Sequence, residues 1–109
     1  MEKITLYVGL NDKDTKQQNF STLEAYKITE NIAKSHDAQC TIFNAECVFK
    51  HDDGTATIEP MLKVNLFNIS EVALLEIVRL LNNVFNQEEI LVHKEVITRK
   101  VVKRGEKYE

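Results

Sequence analysis

AQCTIFNAECVFKHDDGTATIEPMLKVNLF, residues 38–67, is the stretch that decides the fold. It begins extended, with Cys40 and Ile42 on one face and Phe43, Ala45, Cys47 and Phe49 on the other. This change of parity predicts a bulge near Ile42 and Phe43, because one extra residue reverses the faces of everything after it. His51-Asp52-Asp53-Gly54 then forms a tight turn, since Asp-Gly accepts the positive backbone angles that hairpins need. The returning strand, 55–67, carries Ala56, Ile58, Leu62, Val64 and Leu66 on one face. Pro60 brings no N–H to the ladder, which predicts an edge or a bulge and a hairpin running beyond the packed sheet, its tip in solvent.

On the amino-terminal side, residues 3–10 alternate: Ile4, Leu6, Val8 and Leu10 share one face, Thr5 and Tyr7 the other, as in a half-buried strand. The polar segment 11–19 (NDKDTKQQN) reads as a solvated connection; its acidic start, Asn11-Asp12-Lys13-Asp14, could contact a ligand or cation but lacks the glycine and distal glutamate of a calcium-binding loop. A helix follows, opened by Ser21 and Glu24 as a capping box and running to about Lys34, with Ala25, Ile28 and Ile32 inward and Leu23 at the margin of that face. On the carboxy-terminal side, Ser70-Glu71 opens a second helix. Its stripe of Leu74, Ile77, Val78, Leu81, Val84 and Phe85, widened by Leu75 and Leu80, is the strongest amphipathic signal in the chain. Asn82, Asn83 and Asn86 end it, and the β-branched stretch 89–102 predicts a last strand.

Two strand–helix–strand units joined by a hairpin give a ferredoxin-like α+β fold, βαββαβ: a four-stranded antiparallel sheet with both helices on one face. One domain is expected over residues 1–102, with 103–109 a flexible tail. The other sheet face is open, and by analogy of fold it is where function sits.

Composition narrows the classes. A chain of 109 residues with 43% apolar and 28% charged side chains can bury a real core and is not a disordered or low-complexity segment. The formal charge of −3, with both signs interspersed, disfavours a dedicated polyanion binder. Cys40 and Cys47 make no disulfide framework: in one strand they stand about 23 Å apart at roughly 3.3 Å per residue, and buried free thiols are expected. With no membrane-length apolar run and no leader before the first strand, the expected compartment is the cytoplasm. The richness in Lys, Asn and Ile is compatible with an AT-rich bacterial or mobile-element source.

Leu6-Tyr7-Val8-Gly9-Leu10 resembles the first-strand motif of RNA-recognition domains, in which an aromatic residue on the open face stacks a base. The third strand, 61–67, lacks the Gly-aromatic pattern of the partner motif. The nucleic-acid candidates are therefore Tyr7 with the carboxy-terminal Arg99, Lys103 and Arg104, a cluster that also reads as a solvated strand end. His51-Asp52-Asp53 has ligand chemistry, but adjacent residues rarely converge on one ion, so no metal site is assigned. Cys47 sits in an apolar alternation without an adjacent base, and Gly9, Gly54 and Gly105 stand singly, so no catalytic residue and no cofactor are assigned.

Over most of its length the chain resembles compact ferredoxin-like proteins of the PII-like and CutA-like groups, in which a long hairpin projects between helical units and protomers associate through their sheets. It is also similar to small uncharacterised bacterial domains with an aromatic-Val-Gly-Leu opening strand and a Phe-x-Gln-Glu segment before the last strand, here Phe85-Asn86-Gln87-Glu88. No functional residue transfers from either group.

The reading that follows is a non-enzymatic oligomerising or regulatory module. It binds a second copy or another protein through the open face and the hairpin, with Tyr7, Phe43, Phe49 and His51 as interaction-surface candidates. Nucleic acid and membrane are disfavoured as partners. The alternatives are a small enzyme with a pocket between sheet and helices or between protomers, using Tyr7, His93 or Glu95 as acid or base, and single-stranded nucleic-acid binding through the open face.

Overall fold

The computed structural model describes residues 1–50, 53–98 and 100–105, with the backbone alone at Phe49. The elements are β1 (Glu2–Gly9), α1 (Thr22–Ser35), β2 (Gln39–Lys50), β3 (Ala56–Phe67), α2 (Glu71–Phe85) and β4 (Leu91–Val96). They form one antiparallel sheet in the order β2-β3-β1-β4, the ferredoxin-like arrangement that the sequence predicts. Among the described residues no helix is long and apolar enough to cross a membrane.

Alternation in the strands builds the core. Ile4, Leu6 and Val8 of β1 and Leu62, Val64 and Leu66 of β3 are buried against Leu74, Ile77, Leu81 and Phe85 of α2 and Ala25 of α1. Each fully buried aliphatic side chain contributes roughly 1.5–3 kcal/mol by leaving water. Both helices start on a serine cap: Ser21 Oγ accepts from the Glu24 amide while the Glu24 carboxylate accepts from the Ser21 amide, and Ser70 Oγ accepts from the Ala73 amide. His36 caps the end of α1, and its ring reaches α2 through a 2.8 Å contact between Nε2 and Glu76 Oε2. Leu23 and Leu75, assigned by pattern to the margins of the apolar stripes, are instead exposed; Thr29 and Ala33 take the inner positions of α1.

The predicted bulge is absent. β2 and β3 pair in one unbroken register from Gln39↔Phe67 to Lys50↔Ala56. Cys40 and Ile42 face the helices while Phe43, Ala45 and Cys47 lie on the opposite face in strict alternation. The change of parity was the apolar set crossing to the open face. Pro60 marks an edge: β1 pairs with β3 only as far as Gly9↔Met61, and the Leu10 amide donates to the Pro60 carbonyl at 3.0 Å. The missing proline N–H lies on that same side, where β1 ends, and leaves the β2 ladder whole.

Past Pro60 the hairpin is a two-stranded arm. Val48 and Ile58, on the helix-facing parity, are each 61% exposed because the helices do not reach them. The Cα radius of gyration is 16.2 Å, against about 13 Å for a compact chain of this length. Asp53 accepts from the Thr55 amide and hydroxyl at the turn, and Gly54 has φ +88°. The last strand is shorter than the 89–102 expected from composition: it ends at Val96, one ladder bond continuing from the Ile97 amide to the Met1 carbonyl.

Candidate functional site

The open face is not uniformly apolar. Its middle is polar, where Thr5 Oγ1 donates to Asn65 Oδ1 at 3.0 Å and both residues are buried. Towards the arm the face turns apolar, through Tyr7, Phe43, Ala45, Met61 and Leu91, with Phe43 46% and Leu91 65% exposed. The Lys63 ammonium lies 6.0 Å from the centre of the Phe43 ring, within the range of a cation–π contact.

At this end a cleft of about 750 Å³ opens between the base of the arm, the loop after β1 and the loop after α2. The two loops are tied by Asp12. Its Oδ1 accepts from the Asp14 and Thr15 amides at 2.8 and 3.0 Å, and its Oδ2 accepts from Asn19 Nδ2 at 3.1 Å and Asn86 Nδ2 at 2.9 Å. These bonds, led by the Thr15 amide and the Asn86 side chain, lower the Asp12 pKa from 3.8 to about 2. Asn86 is the left-handed C-cap of α2, φ 48°, and its carbonyl accepts from the Lys13 amide at 3.0 Å. The segment read as a solvated connection is thus a built loop around a buried carboxylate.

Held by this tie, Gln87 and Glu59 meet over Gly9. Gln87 Nε2 donates to the carbonyls of Asn11 at 2.7 Å and Phe85 at 3.1 Å, which fixes the amide orientation and turns Oε1 towards Gly9. Glu59 Oε1 accepts from the Asn11 amide at 3.3 Å as its side chain runs back from the arm. A Cβ on Gly9 would stand 2.3 Å from Glu59 Oε1 and 2.6 Å from Gln87 Oε1, so only glycine leaves room for both. Tyr7, Cys47, Met61 and Leu91 line the apolar wall; Lys13, Lys16, Glu88 and Glu89 stand at the polar side.

Of the residues singled out from the sequence, Tyr7 lines this cleft, and Phe43 lies on the same face one strand beyond β3. Phe49 lies in the arm, and His51 falls outside the described residues, as does Arg99. Lys103 and Arg104 are exposed and follow β4 past its Met1 end, whereas Tyr7 pairs with Leu91 at the other end of that strand. His93 and Glu95 share the open face with Tyr7, opposite Thr5 and Lys3, but do not line the cleft; Glu95 Oε1 is 3.5 Å from Lys3 Nζ. The thiols are both half-buried rather than buried. Cys40 has its pKa raised, first by burial and then by Glu30, while Cys47 faces the cleft. Among the described residues no group of three His, Cys, Asp or Glu side chains is placed to hold a metal ion.

Sequence reasoning considered Asn11 and Asp12 only as part of an acidic loop and missed Gly9, Glu59 and Gln87 as a site. Two of its strings nevertheless contained the signal: Tyr7-Val8-Gly9-Leu10 and Phe85-Asn86-Gln87-Glu88 are remote in sequence, and the fold brings them edge to edge.

No family model and no curated protein matches the chain. Solved structures do. A phage SAM lyase in its apo state aligns with TM-score 0.62 at 19% identity, over 86% of this chain and 78% of that one. A phage SAM lyase in complex with S-methyl-5'-thioadenosine aligns with TM-score 0.60 at 19% identity, over 86% and 79%. The periplasmic divalent cation tolerance protein CutA from Archaeoglobus fulgidus aligns with TM-score 0.58 at 14% identity, over 93% and 88%. The likeness is one of fold. It agrees with the CutA-like resemblance read from the sequence.

Proposed function

We propose that this chain is the subunit of a small, non-enzymatic homo-oligomer, joined through the arm-end of the open sheet face and acting as a regulatory or protein-binding module in the cytoplasm. One observation carries the reading: Tyr7, Phe43, Ala45, Met61 and Leu91 gather on a sheet face that no helix covers, interrupted only by Lys63 between Phe43 and Tyr7, beside an arm whose two strands pair with each other alone. A second copy laid against that face removes the apolar area from water and satisfies the arm. Light scattering on the eluting peak of a sizing column gives the test. The expected mass is a multiple of the chain mass, falling to one chain in Phe43→Glu. A wild-type chain that stays monomeric at high concentration rejects the proposal.

The cleft favours a second reading, an enzyme working on a small molecule. Glu59 and Tyr7 share its lining, and the phage SAM lyase fold to which the chain is similar has been solved with S-methyl-5'-thioadenosine. Incubation with S-adenosylmethionine and chromatography for S-methyl-5'-thioadenosine tests this. Product above the uncatalysed background, abolished by Glu59→Gln, supports it; background alone rejects it.

A further inference from the structure

We infer that the cleft over Gly9 is a binding site for a small organic cation, an ammonium or guanidinium group on a short apolar body, and that a single copy of the chain suffices to form it. Both amide hydrogens of Gln87 are spent on the Asn11 and Phe85 carbonyls, so its Oε1 can only accept. The Glu59 carboxylate, anchored by the Asn11 amide, also only accepts. Both oxygens crowd the same spot above Gly9, which has no side chain to offer either of them. Both residues are half-exposed and open to water, and a ligand that takes the place of that water must give at least two hydrogens, which a carboxylate or a fully ionised phosphate cannot.

Charge chooses among donors. Glu59, Glu88 and Glu89 line the cleft against Lys13 and Lys16, while the fourth carboxylate, Asp12, is already spent on four internal hydrogen bonds. A cation therefore gains charge-assisted bonds that a neutral diol does not. The opposite wall supplies the remaining contact: the Tyr7 ring offers a cation–π face, and Met61 and Leu91 offer apolar surface to the ligand body. The anchors all belong to one chain; Tyr7, Met61 and Leu91 also belong to the face on which a second copy is proposed to sit, so the Phe43→Glu variant shows whether one copy suffices.

Benzylammonium is the probe, followed by amide chemical shifts of isotope-labelled protein, with benzyl alcohol and adenosine as neutral comparisons. Saturable shifts at Gly9, Asn11, Glu59 and Gln87 are expected for benzylammonium. The affinity should fall at least about tenfold in Glu59→Gln, which keeps shape and loses charge, and be retained in Phe43→Glu, whatever that substitution does to the mass. Absence of saturable shifts, equal affinity in Glu59→Gln, or tighter binding of adenosine than of benzylammonium would overturn the assignment. Dispersed spectra of the variants separate a lost site from a lost fold.

Discussion

Replacing Gly9 with alanine tests the construction of the cleft most directly. Gly9 does not have positive φ, so alanine meets no backbone penalty, and only space decides the outcome. The new methyl would lie 2.3 Å from Glu59 Oε1, 3.1 Å from its Cδ and 2.6 Å from Gln87 Oε1, so both side chains must swing away. Three hydrogen bonds are then at risk: Asn11 amide to Glu59, and Gln87 to the Asn11 and Phe85 carbonyls. At roughly 0.5–1.5 kcal/mol net for each bond, less what the flexible side chains recover elsewhere, the loss is about 1–3 kcal/mol. Alanine's lower unfolded-state entropy returns roughly 0.5 kcal/mol. The net loss is then about 0.5–2.5 kcal/mol, and calorimetry at fixed protein concentration should show Tm lowered by about 2–12 °C. Because Glu59 is the nearer obstacle, the same substitution in a Glu59→Ala background should cost less, a coupling of at least ~0.5 kcal/mol. A Gly9→Ala protein as stable as the parent, or an equal cost in both backgrounds, refutes the packing described.

Two further predictions concern pH. Asp12 has its folded pKa lowered from 3.8 to about 2, so its contribution is present above the unfolded pKa and is lost as pH falls from about 4 towards 2; urea midpoints across that window should drop in the parent and flatten in Asp12→Asn. His36 has its pKa raised above 6.5, first by the hydrogen bond to the Ile32 carbonyl and then by Glu76. Its contribution is therefore complete below pH 6.5 and lost as pH rises through the higher folded value; midpoints followed from acid to alkaline pH should show this decline, and Glu76→Gln should reduce it.

The body of the fold was legible because local and global signals agree. Ser21 and Glu24 cap a helix wherever it packs, and the spacing of Leu74, Ile77, Leu81 and Phe85 leaves only one face to bury. β2 was misread for a physical reason. A bulge follows only if all its apolar residues seek one core, and Phe43, Ala45 and Cys47 do not. The last strand was overextended because β-branched residues continue past the end of β1, with which β4 pairs. The cleft was illegible for a different reason. Gly9, Glu59 and Gln87 are ordinary residues in their local contexts, and what joins them is the meeting of three chain segments in space.

Pro60 leaves one more consequence, for how such a chain can vary. By ending the ladder with β1, it leaves the arm's backbone paired only within the arm, while Glu59, bonded to the Asn11 amide, ties its base to the body. Arm length is then a free parameter, open to shortening or extension without repacking a helix. The freedom comes in even steps only. Adding or deleting one residue on one strand of the arm would reverse the faces of the arm residues beyond it, while a matched pair on each side keeps every side chain on its own face. Reach and surface chemistry can therefore diverge between relatives while the cleft at the arm's base stays fixed.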